Sequence, residues 1–420
     1  MRPIFSVRPR LSRLLRAQPH ELPALAWAFG YFFFVLCSYY LLRPVRDSLA
    51  VEAATRTLQW LFSATFMAML ALVPLFGWLC ARLTRARLLP AVYGFFATNL
   101  LLFCVRLDGP VFFVWLSVFN LFVVSVFWSF MSDLFTTAQA ARLYGTIAAG
   151  GSCGAIAGPL VAATLANAMQ ARGLLALSAL LLLAAIACIA MLGRWGRAHP
   201  RPGEPPTARP IGGSVLAGAR AALGSPFLLA ISGYLLCYTV LSTALYFQHV
   251  EIVRTALPDA AERTRLFATV DLVVNALTLL VQVLGFARLS ALLGATALLA
   301  AAPLVSLAGF AWLGAAPTLA TLVVFGVTRR VTEFAISKPA REALFTVVPR
   351  EARYKAKNFI DTVVYRGGDA FSGWALGALP AMAGIAAALS AAWLALALYL
   401  GARMKAWTRE DAPSSAPSPR

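Results

Sequence analysis

Residues 29–42 read FGYFFFVLCSYYLL and residues 232–245 read SGYLLCYTVLSTAL. Each sits in an apolar stretch of about 20 residues, which at about 1.5 Å per residue crosses a hydrocarbon core of about 30 Å. Gly30-Tyr31 and Gly233-Tyr234 fall at the same place in both. Further matches follow in the same order: LFT at 134–136 and 344–346, AR at 141–142 and 352–353, and the glycine pairs Gly150-Gly151 and Gly367-Gly368. Singly each is near chance, but their shared order argues for a duplicated six-helix unit, an arrangement typical of secondary transporters.

Composition points the same way. Hydrophobic residues make up 60% of the 420 and charged residues 13%, with a mean hydropathy of +0.76. Such a chain is a polytopic all-α membrane protein rather than a soluble domain. Spans are expected at about 24–42, 59–80, 88–106, 111–133, 143–166, 173–193, 227–247, 266–287, 290–313, 317–336, 361–382 and 384–402. The expected division is a basic arm (1–23), a six-helix bundle (24–193), a polar Arg/Pro/Gly-rich linker (194–226), a second six-helix bundle (227–402) and a tail (403–420). The first apolar run is too long, and lacks the small-residue cleavage site, to be a signal peptide. With the N-terminus inside, the inner segments hold roughly three times as many Lys and Arg as the outer ones, which places both termini in the cytoplasm, for a bacterial inner membrane.

The net charge of +19 follows from the same rule, and no nucleic-acid-binding module accompanies it. Cys37, Cys80, Cys104, Cys153, Cys188 and Cys237 lie in apolar runs without a CxxC pair, as packing residues do. His20, His199 and His249 are too far apart in the topology to build a metal or triad site. GGSCGAIAG lacks the Gly-Lys-Ser/Thr ending of a phosphate loop, so no cofactor, metal or hydrolytic chemistry is expected. Gly150, Gly154 and Gly158 recur at four-residue spacing, as do Gly373, Gly377 and Ala381. Such faces let two helix backbones approach closely, for packing or for sliding during alternating access.

Charges at membrane depth are the candidate functional residues, because they are costly there. Residues 329–369 carry nine Lys/Arg and five Asp/Glu. Tyr39, Arg43 and Arg46 share one helix face if the helix continues past Pro44, and suit a planar or phosphorylated anion, unless both arginines snorkel to headgroups. Asp133 is either a cavity carboxylate or the N-cap of the segment after it. Glu251 is a site residue or an ordinary loop charge. Asp271 and Asn275, four apart within a span, read as a cavity-facing pair. Arg366 and Asp369, three apart, either bind solute or neutralise each other. Arg329, Arg330, Glu333, Lys357 and Asp361 form a candidate gate or an anion cradle, unless Arg329, Arg330 and Glu333 neutralise one another.

Two stretches carry a resemblance. ALFTVVPREARYKAKNFIDTVVYRGGDAFSG (343–373) and LLRPVRDSLAV (41–51) resemble segments of the ATP/ADP translocases of plastids and intracellular bacteria. The resemblance implies four transport charges at Arg46, Asp133, Glu251 and Arg366, with arginine where that family has lysine and one aspartate where it has glutamate. GWLCARLTRAR (77–87) is similar to the basic loop of the related major facilitator superfamily, with Ala81 where an aspartate is usual. The expected function is secondary transport of a nucleotide-like or other phosphorylated anion, by exchange or symport, by a monomer whose only other partner is the lipid bilayer. The alternatives are proton-coupled transport of a different organic solute through Asp133 or Asp271, or a receptor or scaffold. The last would need a soluble module that the linker and tails do not supply. A membrane enzyme would need a His or acidic cluster on one face.

Overall fold

The computed structural model describes residues 18–53, 55–82, 85–199, 220, 223–345, 348, 356–357, 359–377 and 382–410. Most of the basic arm, most of the 194–226 linker, Ala381 and the chain beyond residue 410 lie outside the described residues. Among the described residues all regular structure is helical.

Among the described residues the first four helices are α1 (Leu22–Glu52), α2 (Thr55–Arg82), α3 (Arg85–Val105) and α4 (Gly109–Leu134). The helical run Thr137–Ala198 breaks at Gln170, whose φ of 51° and ψ of −174° are not helical, into α5 (137–169) and α6 (171–198). Then come α7 (Pro226–Ala256), α8 (Ala260–Leu284) and α9 (Phe286–Ala315), the last bent at Gly294 with φ 71°. The tenth helix, α10, is α-helical over Leu319–Thr332, π-helical over Glu333–Ser337 and α-helical again over Lys338–Leu344. The next, α11, has a π-helical turn Ile360–Val364 before Tyr365–Gly377, and α12 spans Met382–Glu410.

These segments follow the order of the expected spans, and among the described residues eight helical runs are long and apolar enough to cross a membrane. One of the eight, Arg142–Ala198, has 57 residues, enough for two crossings. Large apolar side chains on the outside, such as Leu292, Val105 and Phe371, suit a lipid surround. The ends differ from expectation where hydropathy alone set them. The first helix continues ten residues past Leu42 because Pro44 is accommodated inside it. Asp133 is not the cap of the fifth helix: it lies in the last turn of α4, and Thr136 caps α5 in a reciprocal capping box with Gln139.

The chain divides into two compact units. The first comprises Met1–Thr57, Met67–Thr207 and Leu257–Asn275. Its densest packing joins α1 to α5. A Cβ on Gly150, Gly154 or Gly158 would come within 3.0 Å of the carbonyl oxygens of Phe29, Phe33 and Cys37 respectively. Both rows advance by four residues, so the two helices meet backbone to backbone along a shared ridge. An aromatic core fills the rest, with Phe32 stacked on Phe127 at 4.1 Å and Trp115 on Phe119 at 5.2 Å.

The second unit comprises Leu58–Phe66, Ala208–Ala256 and Ala276–Arg420. Its core is built on Tyr234, Tyr238 and Trp393, with the Tyr234 and Trp393 rings 5.3 Å apart. The glycine row of α11 is looser than that of α5: a Cβ on Gly373 would meet the Gln59 Cα at an ordinary 3.7 Å. The surroundings of Gly377, and Ala381 itself, lie outside the described residues.

The duplicated tyrosines act alike. Tyr31 on α1 donates from its hydroxyl to Tyr93 on α3 at 2.6 Å. Tyr234 on α7 donates to the Leu299 carbonyl on α9 at 2.9 Å. In each case the first helix of a six is tied to the third, and both tyrosines are wholly buried.

Candidate functional site

In the first unit the charges gather on α1. Because the helix runs through Pro44, Tyr39, Arg43 and Arg46 do lie on one face. The Arg43 Nη1 meets the Asp271 Oδ1 of α8 at 3.4 Å, with the aspartate side chain 3% exposed. Arg46 donates through Nη2 and Nε to the Asp47 Oδ1 at 2.7 and 3.0 Å, and its guanidinium lies 5.0 Å from the Phe113 ring centroid. Tyr39 packs edge-on to Tyr40 at 5.1 Å. One turn on, Ser48 donates to the Ala260 carbonyl at 2.9 Å, and Arg263 pairs with Glu52.

Asp271 and Asn275 reach different partners. Asp271 turns to Arg43, while the Asn275 amide donates to the Ala155 carbonyl of α5 at 2.7 Å. The chain thus spends a carboxylate on cancelling an arginine and an amide on satisfying a backbone group, both sensible in a low-dielectric setting. Asp133 is half-buried at the end of α4.

The first unit also holds contacts that sequence reading missed. Glu21, 1% exposed, accepts from Arg142 Nη2 at 3.0 Å, from Gln139 Nε2 at 2.9 Å and from the Gln18 amide at 2.8 Å. It ties the start of α1 to the first turn of α5. His20 and His199, far apart in sequence, stack at 5.8 Å beside Trp195. His249, in the second unit, bonds the Leu245 carbonyl at 3.1 Å. Among the described residues no cluster of three or more His, Cys, Asp or Glu could hold a metal.

In the second unit Glu251 falls within the last turns of α7 and pairs with Arg254 at 3.3 Å, its side chain 66% exposed. Arg366 pairs with Asp369 at 3.5 Å, and Asp369 accepts from Thr243 at 3.5 Å. The five expected gate residues reach several different direct partners. Arg329 is 3% exposed and donates to Ser306 at 3.1 Å, to Ser242 at 2.9 Å and to the Tyr238 carbonyl at 3.2 Å. Glu333 pairs with Arg341 at 3.0 Å, both buried. Lys357 pairs with Glu342, Arg330 is half-buried and Asp361 is exposed. Arg341, Tyr238 and Tyr365 escaped sequence reading; Arg341 lies eight residues beyond Glu333, a spacing that the intervening π-helical turn brings into closer register on one face.

Solved structures with the same fold are transporters. The chain aligns with the nucleoside transporter NupG at a TM-score of 0.62 and 12% identity, covering 92% of this chain and all of that one. A bacterial homologue of the human lysosomal transporter Spinster, inward-facing and unoccupied, aligns at 0.57 and 14% identity over 95% of this chain and 100% of its own. A bacterial homologue of the iron transporter ferroportin, inward-facing, aligns at 0.61 and 14% over 93% and 98%. No curated protein sequence matches the chain. At such identities the neighbours show the fold alone. The sequence profile of the Major Facilitator Superfamily matches residues 26–368, from the first helix into the eleventh, and on that match the chain belongs to the major facilitator superfamily.

Proposed function

We propose that the protein is a secondary transporter of a phosphorylated, nucleotide-like anion, working as a monomer with both termini in the cytoplasm of a bacterial inner membrane. Membership of the superfamily supports a small-molecule substrate and residence in a bilayer. The observation that carries the anion is the α1 face. Arg43 and Arg46 remain 20% and 15% exposed, and each is held by a carboxylate that a phosphate can replace. Guanidinium groups match phosphate geometry in the same bidentate way that they match carboxylate. Arg366, held by Asp369, is the corresponding arginine of the second unit. The resemblance of 41–51 and 343–373 to ATP/ADP translocases points to the same solute class, and the excess of Lys and Arg in the proposed inner loops supports the orientation.

Proteoliposomes preloaded with unlabelled nucleotide and exposed to labelled ATP or ADP test this. Counter-exchange is expected, lost on Arg46→Ala or Arg366→Ala. Absence of exchange for every nucleotide tried, or full activity in both variants, refutes the phosphate-binding role.

One observation favours a second reading, proton coupling. Asp271 is 2% exposed and its partner is Arg43, so protonating it would release a helix-to-helix contact. Uptake driven by an imposed pH gradient, lost in Asp271→Asn and indifferent to nucleotides, would select that reading over exchange.

A further inference from the structure

Within the second unit two arginines and two tyrosines make one continuous file. The Arg329 guanidinium lies 5.1 Å from the Tyr238 ring centroid. The Tyr238 ring lies 6.2 Å from that of Tyr365, inclined at 36°. The Arg366 guanidinium lies 5.2 Å from the Tyr365 ring. Three helices contribute, with Tyr238 on α7, Arg329 on α10, and Tyr365 and Arg366 on α11.

The two arginines of this file are held differently. All three hydrogen-bond partners of Arg329 are neutral, and among the described residues no ion pair joins it. Glu333, on the same helix, is engaged by Arg341. Arg329 is therefore held by neutral groups, and the carboxylates Glu333 and Asp369 are paired directly with Arg341 and Arg366. A buried guanidinium without a counter-ion is costly at membrane depth, and such a position is characteristically functional. The serines and the Tyr238 carbonyl hold Arg329 rigidly without cancelling its charge.

Two further observations bear on a ligand. The Glu333–Ser337 and Ile360–Val364 π-helical stretches border the file, one beginning four residues after Arg329 and the other ending next to Tyr365. Such interruptions recur at functional sites. Tyr365 is half-buried and the Arg366 side chain is 32% exposed, so both can touch a solute while Tyr238 and Arg329 sit behind them.

We infer that Tyr365 and Arg366, backed by Tyr238 and Arg329, form a recognition site for a planar anion, with the solute's ring on the tyrosine face and its phosphate drawn by the arginines. This rests on the anion-transport reading and narrows it. A bare inorganic polyphosphate would use only the arginines, and an uncharged nucleoside only the ring.

Binding measurements on the purified full-length protein, with ATP, adenosine and inorganic tripolyphosphate as probes, separate these contributions. ATP is expected to bind more tightly than either of the others. Tyr365→Leu should lower ATP affinity roughly tenfold, the scale of one lost base–aromatic stack, and leave tripolyphosphate unchanged. Tyr365→Phe should keep ATP binding, and Arg329→Gln should weaken ATP and tripolyphosphate together. If Arg329→Gln does not fold, the Leu and Phe variants at Tyr365 decide. ATP binding equal to that of tripolyphosphate, or unchanged in Tyr365→Leu, overturns this site while leaving anion transport standing. A wild-type protein that binds neither ATP nor tripolyphosphate overturns both.

Discussion

Gly154 and Gly145 lie on the same helix, α5, and replacing each by alanine should change stability in opposite directions. At Gly154 a new methyl group would meet the Phe33 carbonyl oxygen head-on and come within 2.9 Å of the Cys37 amide nitrogen. Those neighbours are helix backbone, which cannot swing aside as a side chain can, so α1 and α5 must part. Overpacking a close contact costs about 1–3 kcal/mol. Here the upper half of that range applies, because parting at Gly154 also loosens the same contact at Gly150 and Gly158. Alanine's better helix propensity offsets about 1 kcal/mol. The net loss is then about 1–2 kcal/mol. At Gly145 nothing lies within 4 Å of the added methyl, so only the propensity gain of about 1 kcal/mol remains. Thermal unfolding of both variants in one detergent is the assay. Gly154→Ala should melt below wild type and Gly145→Ala above it. A Gly154→Ala protein as stable as Gly145→Ala would refute the backbone-to-backbone account of the α1/α5 seam.

Three other outcomes follow from the polar contacts. Glu333→Ala or Arg341→Ala alone strands a buried charge and should cost about 3–5 kcal/mol, whereas Glu333→Leu combined with Arg341→Met should recover most of it; additive losses in a double-mutant cycle would argue against the pair. Tyr93→Phe breaks two buried hydrogen bonds, from Tyr31 at 2.6 Å and to the Val123 carbonyl at 2.9 Å, while Tyr31→Phe breaks one, so the first should lower the melting temperature more. Burial raises the Glu21 carboxyl's affinity for protons, but bonds from Arg142, the Gln18 amide and Gln139 outweigh it and hold the group below its ordinary 4.5. A depressed carboxylate stabilises the fold above pH 4.5 and loses that contribution as pH falls through the lowered value. Glu21→Gln should therefore melt lower at neutral pH and show a flatter acid limb below pH 4.5, which a pH series of melting curves measures.

The membrane class, the helix order and the near-equivalence of the tyrosine helices were all readable from sequence, because each rests on something local. Hydropathy over about 20 residues depends on transfer to lipid and needs no knowledge of neighbours. The glycine spacing at 150, 154 and 158 likewise announced a close helix face before the partner was known. The face shared by Tyr39, Arg43 and Arg46 was legible once α1 was assumed to continue through Pro44.

What the tertiary structure decided was which charges meet. Arg43 and Asp271 are 228 residues apart, and nothing in either segment names the other. The same is true of Arg329, whose neighbours Ser306, Ser242 and Tyr238 come from two other helices and are unremarkable in sequence. The Glu333–Arg341 pair was hidden for a different reason. An α-helix puts residues seven apart on one face, and the π-helical turn at Glu333–Ser337 inserts an extra residue, so that the eighth takes that place. Secondary structure in a bilayer follows from backbone hydrogen bonding and side-chain transfer, which are properties of short segments. Ion pairing depends on distances between segments, and only the packed helices set those.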